Sequence, residues 1–180
     1  SRTRITSTAP VAVFGAHIEG AIPHEYSGGG LEAQVPPLHT WGRAHVAVPV
    51  AHIANLSPGL RRLGYLRILT ATPDTEVRIE PAPGRLGSTR LAPSEVLELE
   101  IYEPCRITGS APILVGFFIP SYALYRQVEL ENFIVGASSF TTLPPVEQYR
   151  SDYVFVSPES YDLGGPDGQN YVVLVRPTGL

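Results

Sequence analysis

The sequence predicts an all-β protein built from antiparallel β-sandwich modules in tandem. Three observations carry that prediction. Short apolar runs alternate with turn residues along the whole 180-residue chain, punctuated by 18 Pro and 17 Gly. Residues 95–102 (EVLELEIY) alternate apolar and acidic side chains, as a strand with one buried face does. The chain also nearly repeats itself. Pro36-Pro37 is followed four residues on by Trp41, and Pro144-Pro145 four residues on by Tyr149, each before an alternating apolar run.

The repeat extends further. Residues 4–14 (RITSTAPVAVF) align with residues 106–116 (RITGSAPILVG) at a shift of 102, the double prolines at 108, and residues 64–72 with 170–178 at 106. A repeat of about a hundred residues matches one sandwich of seven or more strands. Two four-stranded propeller blades are the alternative. The expected organisation is three-part: residues 1–18 end a preceding repeat or start the first copy, 19–104 form the first repeat, and 105–180 an incomplete second.

Composition narrows the function classes. With 43% hydrophobic residues the chain can bury a real core. A net charge of −4 gives no electrostatic footprint for nucleic acid or an anionic membrane. All 13 basic residues are Arg, so no lysine is available as a Walker-type, Schiff-base or general-base group. No apolar run reaches the ~18 residues that span a bilayer. Both ends read as strand sequence, from which we expect a piece of a larger protein. The single cysteine, Cys105, has no internal partner and reads as a small buried or strand-flanking residue.

In chain order, residues 3–7 and 11–14 read as strand, bend at Thr8-Ala9-Pro10, strand. Residues 15–30 read as a loop carrying His17, His24 and Gly28-Gly29-Gly30. The glycines are not followed by a helix start, so a flexible loop explains them better than a phosphate cradle. Residues 44–48 read as a strand with His45 and Ala47 on the face opposite Val46 and Val48. Pro49 separates His45 from His52, and an odd spacing on a strand puts them on opposite faces, against a shared metal site. Residues 51–62 include a possible helical turn and the triplet Asn55-Leu56-Ser57, a weak glycosylation sequon.

Residues 64–72 and 76–79 read as a hairpin across Pro73-Asp74, residues 88–91 as a short strand, and 95–102 as the best strand. There Leu97, Leu99 and Ile101 share one face. Glu98 and Glu100 share the other, read as a solvated sheet face in preference to a calcium site. Residues 106–110 and 113–118 repeat the opening strand–bend–strand. Residues 120–135 read as a short helical segment or an insertion loop. Asp162, Asp167 and Asn170 sit in a turn-rich connection whose spacing fits no EF-hand.

These blocks carry a family resemblance. Residues 4–14, Gln34 with Pro36-Pro37, Trp41-Gly42 and the run His45 to Val48, then Pro144-Pro145 with Glu147, Gln148 and Tyr149, resemble the N-terminal domain of the IgGFc-binding protein family. The resemblance covers nearly the whole chain. It departs from the family at a cysteine pair, which aligns near Glu19 and Gly28, and at a turn lysine replaced by Ala9 and Ala111. The resemblance implies an extracellular or cell-surface β-rich module, secreted within a larger multidomain protein, without catalysis.

Three functions stand for testing. The first is a structural and adhesive module that contacts surface or matrix proteins, glycans or neighbouring repeats through loops on a rigid scaffold. The second is a dedicated carbohydrate-binding module, for which Tyr122, Tyr125, Tyr149, Tyr153 and Tyr161 are the available aromatics, though tyrosines on strands more often edge a core. The third is a hydrolase, disfavoured because no G-x-S-x-G occurs and the Glu98, Glu100 pair is explained by strand alternation. No catalytic residue, metal ligand or cofactor is assigned.

Overall fold

A computed structural model describes residues 3–22, 29–49, 63–81, 87–93, 95–121, 138–156 and 172–176. Its described strands are β1 (Phe14–Gly20), β2 (Gly29–Gln34), β3 (Gly42–Ala47), β4 (Gly64–Thr70), β5 (Thr75–Glu80), β6 (Ser88–Leu91), β7 (Val96–Ile101), β8 (Cys105–Ile119) and β9 (Ser139–Thr142). Two 3-10 turns, Leu38–Thr40 and Val146–Gln148, come directly after the double prolines. The all-β antiparallel class is as the sequence predicts.

The molecule is organised around β8, 15 residues long. β3 and β9 lie end to end along one edge, β5 and β4 along the other. β6 extends the sheet beyond β5, and β7 beyond β4. The seven strands curl into a half-barrel because β8 is irregular midway. Gly42 and Ala44 of β3, two residues apart, face Ile113 and Thr108 of β8, five apart, so β8 bulges between them. Pro112 lies in that bulge, where its missing N–H breaks no regular ladder.

Alternation then fills the concave side. Leu66, Ile68, Val77, Ile79, Ile101, Ile107, Ile113, Val115 and Phe117 are almost wholly buried in one cluster, with Leu97 and Leu99 packed against it. Cys105 is buried in the same cluster, as its sequence suggested. Strands on both sides of position 105 therefore share one core. Burying these side chains is worth roughly 1.5–3 kcal/mol each before entropy is counted.

Several expectations need correction. Residues 3–13 are not strand and are mostly exposed, whereas residues 14–20 and 29–34, read largely as loop, form the antiparallel β1–β2 ribbon. Cross-strand pairing overrides the weak β-propensity of their glycines there. Residues 106–110 and 113–118 are one continuous strand, not two. β4 and β5 do not form a hairpin with each other; each pairs with a different half of β8. Their connection is an arch held by the Thr70 and Thr75 hydroxyls, 2.6 Å apart, with Asp74 at φ 53° in the left-handed region. Residues 172–176, read as strand sequence, are not in a strand. The readings of residues 51–62, 120–135 and 162–170 fall wholly or almost wholly outside the described residues, as do His24, His52, Tyr122, Tyr125 and Tyr161. Among the described residues no helix is long and apolar enough to cross a membrane, which says nothing of spanning strands.

Candidate functional site at the double-proline clasp

The two double prolines build the same local structure. Proline fixes its own φ and bars the helical region to the residue before it. Pro37 (φ −61°, ψ 151°) and Pro145 (φ −69°, ψ 151°) are both extended, and each leads into a single 3-10 turn. Thr40 N–H donates to Pro37 O at 2.9 Å, and Gln148 N–H donates to Pro145 O at 2.9 Å. Trp41 (φ −67°, ψ 144°) and Tyr149 (φ −61°, ψ 142°) return the chain to extended backbone.

The turns clasp each other across more than a hundred residues of sequence. Gln148 Nε2 donates to Thr40 O at 2.5 Å, and Arg43 N–H donates to Glu147 Oε1 at 2.8 Å. Gly42 lies against the Pro145 ring, where no side chain fits. Trp41 is half-buried, its indole N–H donating to Pro36 O at 3.1 Å.

Between the turns lies a cleft of about 130 Å³ whose lining includes Trp41, His45, Leu143, Pro145 and Gln148. His45 is 1% exposed. Its Nδ1 is 3.1 Å from Leu143 O, so Nδ1 carries the proton and donates, which leaves Nε2 an acceptor without a hydrogen-bond partner. Burial drives the His45 pKa below its ordinary value of 6.5, against the opposing pull of the Leu143, Ile113 and Gly42 carbonyls and of Glu147. For Glu147, burial pushes the pKa up, but the Arg43 N–H and other donors outweigh it and hold the carboxyl below its ordinary 4.5. A charged His45 would add to that effect, but a buried imidazole with a lowered pKa is neutral near pH 7, so the hydrogen bonds carry it. The cleft therefore offers a neutral imidazole acceptor beside an indole and three prolines, Pro36, Pro144 and Pro145. Its volume is below the 300–1,000 Å³ typical of pockets for drug-sized ligands and cofactors.

The other residues singled out in the sequence lie elsewhere. Glu98 and Glu100 are on the convex face, Glu98 paired with Arg67 at 2.5 Å and Glu100 accepting from the Tyr102 hydroxyl. Arg67 lies 5.3 Å above the Phe118 ring, which stacks on Phe140 at 4.4 Å, so an Arg–Phe–Phe row crosses the convex face. His17 and His39 are exposed on β1 and the first turn. Tyr149 is half-buried, its pKa raised by burial, and exposed Tyr153 accepts a hydrogen bond from Arg150 N–H through its hydroxyl. Among the described residues no three His, Cys, Asp or Glu side chains converge as metal ligands. Sequence reasoning gave His45 no distinct role, because nothing local showed that Leu143, far along the chain, would meet its ring. The matched double prolines were the signal that pointed there.

The profile of one family, described as IgGFc binding protein, matches residues 1–179. No curated protein and no solved structure matches the chain. The match spans essentially the whole chain and includes both double-proline turns, so the chain belongs to the IgGFc-binding protein family.

Proposed function

We propose that this chain is an extracellular or cell-surface structural and adhesive module that holds protein or glycan partners without catalysing a reaction. Its membership of a family described by what it binds carries the reading. The architecture supports it. Among the described residues one packed cluster backs the sheet, and the clasped turns and the Arg67 end of the convex row face solvent, suited to contact.

The test uses two probes on the same purified protein: the Fc fragment of immunoglobulin G, because the family description names it, and a glycan array. Saturable Fc binding that weakens when Arg67→Ala and Phe140→Ala alter the convex row supports a protein-contact module. Binding confined to glycans turns the reading to a carbohydrate-binding module. Failure of both probes, together with no antibody labelling of the chain on intact source cells, overturns the proposal.

A further inference from the structure

The two ladders that precede the proline turns share one register. In β1–β2, Phe14 faces Gln34, Gly15 faces Ala33, Ala16 faces Glu32 and His17 faces Leu31. In β8–β9, Gly116 faces Thr142, Phe117 faces Thr141, Phe118 faces Phe140 and Ile119 faces Ser139. These four consecutive pairs of the first ladder become the four of the second under the shifts of 102 and 108 that align the sequence blocks. Register is set by hydrogen-bonded pairing, and a slip of one residue would destroy the match.

Beyond the turns the two halves diverge. After the first turn the chain enters β3, which pairs with the start of β8: Ala44 with Thr108, His45 with Ile107, Val46 with Arg106 and Ala47 with Cys105. By the same shifts the counterparts after the second turn are Asp152, Tyr153, Val154 and Phe155, and those of the start of β8 are Thr6, Ile5, Arg4 and Thr3. Neither stretch is in a strand, and their apolar side chains are bare: Ile5 is 60% exposed, Tyr153 66%, Val154 97% and Phe155 65%. Soluble domains rarely leave contiguous alternating apolar residues uncovered.

We propose that residues 3–6 and 152–155 of one chain pair antiparallel, with Thr6 opposite Asp152, Ile5 opposite Tyr153, Arg4 opposite Val154 and Thr3 opposite Phe155. They form the edge of a second lobe related to the first by an approximate two-fold axis through the clasp. The clasp supplies the geometry, since it fixes the two turns against each other and each turn launches the segment after it. The alternation agrees. Tyr153, Phe155 and Ile5 occupy the positions of His45, Ala47 and Ile107, all of which are buried in the first half. The same correspondence lays residues 172–176, counterparts of β4, along residues 11–15, where Leu174, 89% exposed, would cover Val13. This pairing does not depend on what the protein binds.

The test crosslinks the full chain in a Cys105→Ala background. Directly opposed strand residues have Cβ atoms about 4.5–5.5 Å apart, close enough for a disulfide after small adjustment. Under oxidised glutathione, Ile5→Cys with Tyr153→Cys is expected to form an intrachain disulfide in most molecules, and Ile5→Cys with Val154→Cys, one residue out of register, at least tenfold less. Disulfide-linked dimers would overturn the proposal by showing exchange between copies, and equal crosslinking of both pairs by showing free tails. Hydrogen exchange on the unaltered protein decides independently of the variants. Protection of more than tenfold at amides within residues 3–6 and 152–155 is expected, and exchange at the intrinsic rate refutes the pairing.

Discussion

Gly42 is the position where a single methyl group tests the clasp. A Cβ there would lie 2.8 Å from both Pro145 Cγ and Glu147 Oε2, and closer still to Pro145 Cβ, where ordinary contact begins at 3.4 Å. The Glu147 carboxylate can swing away. The Pro145 ring cannot, because its ring is fused to the backbone. Relief of about 0.6 Å or more must come from separating the turns. Separation on that scale stretches the 2.8 Å Arg43–Glu147 bond and the 2.5 Å Gln148–Thr40 bond. Overpacking costs about 1–3 kcal/mol, and loosened exposed hydrogen bonds add little more, so Gly42→Ala is expected to destabilise by about 2 kcal/mol. For a chain of this size that lowers Tm by about 4–8 °C. The assay is urea unfolding monitored by circular dichroism, with thermal melts alongside. Gly87→Ala is the control, since nothing lies within 4 Å of a Cβ there, and it should stay within about 0.5 kcal/mol of the parent. If Gly42→Ala matches Gly87→Ala, the turns are not packed as described and the clasp is wrong.

Three further predictions use the same region and the core. His45 is held neutral by burial, so its contribution to stability is fully present above pH 6.5 and is lost as pH falls from there through its lowered folded-state pKa. Unfolding free energies measured across that window should fall for the parent and stay flatter for His45→Gln; equal slopes would remove His45 as the cause. The Cys105 thiol, pushed by burial up to about 11 from an ordinary 9.0, should react with a thiol reagent at pH 8 about a hundredfold more slowly in the folded protein than in urea. Comparable rates in the two states would contradict its burial at the start of β8. Trp41 is the only tryptophan, so its fluorescence reports on the clasp directly. Gln148→Ala, which removes the bond to Thr40, should shift its emission to longer wavelength while the core stays folded by circular dichroism; an unchanged spectrum would show that this bond does not hold the turn.

The particular elements show where local sequence sufficed. Residues 64–70, 75–80 and 96–101 could each be read as strand, and in 96–101 the apolar face as well, because a strand's side-chain period is a local property. The proline turns were legible for the same reason: proline restricts itself and its predecessor whatever surrounds it. Residues 3–20 show the opposite. The apolar stretch at 3–13 looked like strand and the glycine-bearing stretch at 14–20 did not, yet of the two only the second is a strand, paired with residues 29–34. The arch between β4 and β5 was misread as a hairpin because its turn residues fit either connection, and the choice was made by β8, which offers a separate edge position to each strand.

By itself, then, the sequence determined the all-β class, the apolar face of residues 96–101, the matched double prolines and the family, since each rests on residue type and near-neighbour spacing. Tertiary structure alone decided which strands pair, that β8 carries both halves of the sheet, and that His45 ends buried against Leu143 beside the clasp. Those outcomes depend on contacts between residues tens to a hundred positions apart, and no local period or propensity encodes them.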